Sequence, residues 1–160
     1  MTGRRRQLVE ECALYCRAVD GMRAGARLVM GAVASSPSGL IVLLDLDGMG
    51  RINLRFGTRV GDRLLASIGI ALQAATDGRG GATHMAGDQF IAIVAGTDTS
   101  DAVVEELRTV VRRTRVRSAR VTASAGTCLW REGFSRPPEL LAAAALSLRA
   151  AKMAAHLPHP

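Results

Sequence analysis

The sequence predicts an α+β fold in which helices cover a central, mainly antiparallel sheet. Three observations lead there. Leu40-Ile41-Val42-Leu43-Leu44 is an unbroken apolar run entered from the loop Ser35-Ser36-Pro37-Ser38-Gly39, the pattern of a strand buried on both faces. Two short strands, about Ala82 to Met85 and Gln89 to Ala95, are joined by Ala86-Gly87-Asp88 as a hairpin, which requires antiparallel pairing. Around these strands, apolar residues recur at helical spacing.

In chain order, residues from about Arg6 to Ala34 read as helical, with Gly21 and Gly25 as breaks. The first strand delivers Asp45-Leu46-Asp47 at its end, and a short helix follows Gly48. Val60, Leu64, Leu65, Ile68 and Leu72 mark a longer helix, and Asp77-Gly78-Arg79-Gly80-Gly81 a turn before the hairpin. Val103, Val104, Leu107, Val110 and Val111 belong to another helix, and Val121 to Leu129 to a strand. Pro137-Pro138 opens a final alanine-rich helix that runs to about Ala155, since proline suits a first helical turn.

The chain has 160 residues, 48% of them apolar and 22% charged, which suits a single globular domain with its own core. Its longest apolar runs, Leu40 to Leu44 and Leu140 to Leu146, fall well short of the about 20 residues of a membrane span. Arg4, Arg5 and Arg6 have no apolar stretch behind them, so a signal peptide is not expected and a cytoplasmic location is. The three cysteines, Cys12, Cys16 and Cys128, are expected as reduced thiols rather than zinc ligands.

The net charge is +7, and Lys152 is the only lysine. Arginine's planar fork of donors suits phosphate, so nucleotides, nucleic acid and acidic partners are all admitted, beside a merely solvated surface. The scarcity of aromatics, 3%, counts against a single-strand binder that stacks bases. Asp45 and Asp47 close a buried strand, and Asp88 sits at a hairpin tip. Clustered carboxylates need a counter-charge, which a divalent cation supplies. Spacing alone leaves a magnesium–nucleotide site and two solvated loop tips equally open.

Five stretches together resemble the GGDEF family of diguanylate cyclases. Asp45-Leu46-Asp47-Gly48-Met49-Gly50-Arg51-Ile52-Asn53 is similar to the family's Asp-x-Asp-x-Phe-Lys-x-Ile-Asn, and Phe56-Gly57-Thr58-Arg59-Val60-Gly61-Asp62 to its Gly-His-x-x-Gly-Asp segment. Ala86-Gly87-Asp88-Gln89-Phe90 falls at the signature loop, Val121 to Gly126 at the Val-Thr-x-Ser-Ile-Gly strand, and Leu148 to Lys152 at the Ala-Leu-Tyr-x-Ala-Lys helix. The resemblance implies a nucleotidyl cyclase-like fold with a ferredoxin-like core. It divides the chain into a helical lead-in over residues 1–17, a degenerate GGDEF domain over 18–156 and a tail over 157–160.

In that family two GTP molecules meet across a dimer and each 3′-hydroxyl attacks the other's α-phosphate. The resemblance implies Mg2+ held with GTP by Asp45, the backbone carbonyl of Leu46 and Asp88. It implies guanine read by Asn53 and Asp62, and nucleotide contacts from Ala86, Gly87 and Lys152. The departures cluster at the chemistry. Gln89 replaces an acidic residue and cannot take up a proton or carry charge. Gly50 stands in place of a phosphate-binding lysine, Thr58 of a histidine and His156 of an arginine. Ala86 replaces a glycine, and Ala24-Gly25 an Asn-Arg pair. The inhibitory Arg-x-x-Asp would fall at Asp77 and Gly80, so product feedback is not expected.

The expected function is therefore a non-catalytic domain that binds a guanine nucleotide, GTP with magnesium, and acts in bacterial cyclic di-GMP regulation. One alternative is an interaction module with a vestigial site, docking an acidic protein or, less favoured, nucleic acid through Arg108, Arg112, Arg113, Arg115, Arg117 and Arg120. Another is a weak diguanylate cyclase. A homodimer is implied by the family, and no membrane partner is expected.

Overall fold

The computed structural model describes residues 20–132 and 136–155. The expected lead-in over residues 1–17, with Cys12 and Cys16, and the segment from His156 through the 157–160 tail lie outside the described residues. Within them the chain runs α1 (helical over 20–35), β1 (Ser38–Asp47), α2 (Met49–Phe56), α3 (Thr58–Thr76), β2 (Gly80–Ala86), β3 (Gln89–Ala95), α4 (Asp101–Arg113), β4 (Thr122–Arg131) and α5 (Pro137–Ala155). The four strands form one sheet in the order β2-β3-β1-β4, and every neighbouring pair is antiparallel. Each of β1 and β3 is followed by helix and then by a strand that skips its neighbour, which is the split βαβ arrangement of a ferredoxin-like core.

Period-two alternation in β1 feeds two cores. Leu40, Val42, Leu44 and Leu46 meet Phe90, Ala92 and Val94 of β3 under Leu64, Ile68 and Leu72 of α3 and Leu107 and Val111 of α4. Ile41 faces the other way and packs with Ile91, Ile93 and Trp130 against Val29 of α1 and Leu140 and Ala144 of α5. That double burial is why the run Leu40 to Leu44 carries no polar residue. Trp130, the chain's one tryptophan, is 2% exposed and donates its indole N–H to the Ser36 carbonyl at 3.1 Å. Its fluorescence therefore reports on unfolding of this core.

Three expectations need correction. Gly21 and Gly25 do not break α1, which passes through both. A Cβ at Gly21 would fall on the Met85 carbonyl, so the missing side chain lets the helix lie directly on the hairpin. The stretch 77–81 is only partly a turn, because Gly80 and Gly81 already pair with Val94 and Ile93. The hairpin loop is also shorter than Ala86-Gly87-Asp88. Ala86 pairs with Gln89, which leaves Gly87 and Asp88 as a two-residue loop. Gly87 has φ 58°, and a positive φ at the first central residue is what a tight hairpin of this length demands.

Candidate functional site

The β1 register brings the candidate residues together. Asp45 lies opposite Gln89 of β3 on one side and Ser124 of β4 on the other. Leu44 and Leu46 face the α3–α4 core, so Asp45 and Asp47 project toward the layer that contains α5. Asp45 is 5% exposed and is the one charged side chain buried among the described residues. A carboxylate taken out of water costs several kcal/mol, about 3–5 when left unpaired, so its partners decide whether the site is stable. Both of its oxygens are engaged: Lys152 of α5 places Nζ 2.5 Å from Oδ1, and Gln89 donates Nε2–H to Oδ2 at 3.1 Å.

Close backbone packing puts Lys152 there. A Cβ at Gly126 of β4 would fall on the backbone nitrogen of Leu148, so glycine lets α5 seat on the sheet one turn before the lysine. Asp47 is satisfied differently. Thr122 Oγ donates to its Oδ2 at 2.9 Å and Ser124 Oγ to its Oδ1 at 3.0 Å. In the sequence Thr122 and Ser124 matched a family strand motif, but nothing there pointed to Asp47 as their acceptor.

The signature loop is fixed by its backbone. Leu46 N–H donates to the Asp88 carbonyl at 2.9 Å, which locks the half-buried Asp88 beside the Asp45-Leu46 step. His84 adds a clamp that no motif announced. Its Nε2 lies 2.8 Å from the Gly87 carbonyl, and its ring stacks on Phe90 at 4.7 Å between centroids. The strand shifts register between His84 and Ala86, which aims the loop.

The proposed guanine readers form a second group at the same end of β1. The chain leaves that strand through Gly48, with φ 85°, enters α2, and turns into α3 at Gly57, with φ 87°. A Cβ at Gly61 would fall on Asn53 Oδ1, so the amide of α2 rests on the α3 backbone next to Asp62. Asp62 is exposed and makes no ion pair among the described residues. It sits beyond the first turn of α3, where the helix dipole fades, so capping does not account for it. Gly50 is exposed, and a side chain there would start in open space.

The other features lie elsewhere. A groove of ≈ 660 Å³ lined by Arg27, Ser35, Ser36, Arg79 and Gly96 lies at the opposite end of the sheet, where β1 begins. Its Arg79 is already paired with Glu106 at 2.7 Å. Cys128 is half-buried, and desolvation pushes its thiol above the ordinary range. It should alkylate with iodoacetamide at pH 8 more slowly than a small free thiol, as read by peptide mass spectrometry. Denaturant should abolish the difference.

The family model described as "Diguanylate cyclase, GGDEF domain" matches residues 27–156. The chain belongs to the GGDEF family. That membership places it with the diguanylate cyclase-like proteins of cyclic di-GMP signalling. Its fold is similar to that of the diguanylate cyclase SiaD from Pseudomonas aeruginosa, crystallised with its activator SiaC. There the TM-score is 0.69 at 24% identity, over 94% of this chain and 65% of SiaD, so this chain spans about two thirds of that one. A sensory box/GGDEF family protein from Caulobacter crescentus CB15 gives 0.67 at 25% identity, covering 84% of this chain and 90% of that one. The GGDEF domain of DgcB from Caulobacter crescentus, in complex with c-di-GMP, gives 0.65 at 20% identity over 82% of each chain. No curated protein matches. Among the described residues, no helix is long and apolar enough to cross a membrane.

GGDEF domains use Mg2+ with GTP, and the family would assign the ion to Asp45, the Leu46 carbonyl and Asp88. As arranged here, the Asp45 carboxylate is not free to take an ion. Both Asp45 oxygens are occupied by Lys152 and Gln89, and those of Asp47 by hydroxyls. Among the described residues no three His, Cys, Asp or Glu side chains converge.

Proposed function

We propose that this chain is a non-catalytic GGDEF domain that binds a guanine nucleotide and acts in regulation or signalling. The observation that carries this reading is the contact from Gln89 to Asp45. Where the family has an acid, this chain has an amide that spends its N–H on a neighbouring carboxylate. Such a group can neither accept a proton from an attacking hydroxyl nor hold charge beside a phosphate. Asn53 and Asp62 remain adjacent, and Asp62 is an exposed acceptor suited to the N–H donors of guanine's Watson–Crick edge. Because one domain carries both readers, binding needs a single copy, and the family's homodimer is not required for it.

Isothermal calorimetry with GTP and GDP tests the reading. Wild type should bind, and Asp62→Ala should weaken binding by about tenfold or more, the worth of one charge-assisted hydrogen bond. Asp62 is exposed, so its loss leaves the fold intact. Absence of heat from wild type, or equal binding by the variant, contradicts the proposal. Gly50→Lys should tighten binding by about fivefold, since it restores a point charge at a position open to solvent.

A second reading rests on the arginines at the end of α4 and just beyond it. A bridge between Val116 and Ala119 pins a tight turn with Arg117 at φ 56°. Arg113, Arg115, Arg117 and Arg120 are exposed around it, and Arg112 beside them is paired with Glu105 at 3.2 Å. This rigid basic knuckle suits an acidic protein surface. Fluorescence anisotropy with a polyglutamate peptide should show binding that salt abolishes, and duplex DNA binding instead would shift the assignment to nucleic acid.

A further inference from the structure

We propose that Lys152 is the resident cation of the Asp45 site, held there in place of a divalent metal, and that Gln89 makes this exchange possible. The charge count carries it. Asp45 and residue 89 face each other across the β1–β3 ladder. An acid at 89, although itself exposed, would set a second carboxylate directly opposite the 5% exposed Asp45, a like-charge pair that a counter-ion relieves. With glutamine the ladder position is neutral and one negative charge remains. A single ammonium balances it, and Lys152 supplies that ammonium to Oδ1 while the amide takes Oδ2.

The neighbouring carboxylate is held by neutral donors. Asp47, on the same strand face, gives its oxygens to Thr122 and Ser124. A divalent ion at Asp45 would have to approach the Lys152 ammonium, a repulsion that low local dielectric enlarges. Lys152 itself is 40% exposed, so its long stem reaches inward while its position on α5 stays wet. The same contact ties the end of α5 to the sheet, with Gly126 setting the distance. In this chain the family's metal position has become an internal ion pair that holds the fold together.

The test is thermal unfolding of the full chain, read by Trp130 fluorescence without nucleotide, with and without MgCl2 or MnCl2 at matched ionic strength. Wild type should melt within about a degree of the same temperature in all conditions. Lys152→Ala should melt about 5 °C lower and recover with either divalent ion, because the uncompensated Asp45 then needs a cation. The double variant Asp45→Asn with Lys152→Ala should melt near wild type and ignore the ions. A divalent-dependent rise in wild type, or in the double variant, overturns the proposal. So does a Lys152→Ala protein that melts like wild type or gains nothing from the ions. No nucleotide is present, so failure here is separate from failure of the guanine reading.

Discussion

Gly126→Ala should lower the melting temperature by about 8 °C, the largest effect of any substitution of one small residue near the site. The added methyl group would land on the backbone of α5, at Leu148 and Ala144, and not on a side chain that can rotate away. Overpacking against fixed atoms costs about 1–3 kcal/mol, and backbone neighbours put this case at the upper end. The relief available is a shift of α5 away from β4, which would draw Lys152 from Asp45 and add the cost of a buried carboxylate. Amide hydrogen exchange should therefore quicken across Pro137–Ala155 more than in α3. Unchanged melting with unchanged exchange would show that α5 does not seat on Gly126 as described.

Gln89→Glu should lower stability in a way that divalent metal largely reverses. Without divalent ions the new carboxylate faces Asp45 and loses the amide donor, so stability should fall by about 1–2 kcal/mol, or about 4 °C. With millimolar Mg2+ or Mn2+ much of that loss should return, since binding to the folded state alone stabilises by mass action, by about 2.7 kcal/mol at a hundredfold excess over Kd. The wild-type glutamine should show neither the loss nor the recovery. This variant should not regain cyclase turnover, because Gly50 and Thr58 also depart from the family pattern at the phosphate and neighbouring positions.

The sequence was informative where local chemistry had one solution. The run Leu40 to Leu44 had to be a central strand because both of its faces are apolar, and a hairpin turn had to fall within Ala86-Gly87-Asp88. Strand β1 extends past that run to Asp47 because Asp45 and Asp47 find partners across the ladders, which no local pattern encodes. The glycines were harder. Gly21 reads as a helix breaker and Gly80-Gly81 as a turn, yet each marks close backbone approach or strand pairing. Register with the family motif singled out Asp45, Asn53, Asp62, Asp88 and Lys152 as candidates. What it could not supply was the pairing of Lys152 with Asp45, a contact between the far ends of the domain made only when α5 docks. The hydroxyls on Asp47 and the His84 clamp were hidden for the same reason.

Binding and turnover can be read from one sample. Wild-type protein at high concentration is incubated with GTP and Mg2+ or Mn2+, and the nucleotides are separated by chromatography alongside a calorimetric titration of the same sample. GTP should bind saturably and be recovered intact, with no cyclic dinucleotide formed. Accumulation of cyclic di-GMP in proportion to protein and time would contradict it, because Gln89 would then not be the disabling residue it is held to be.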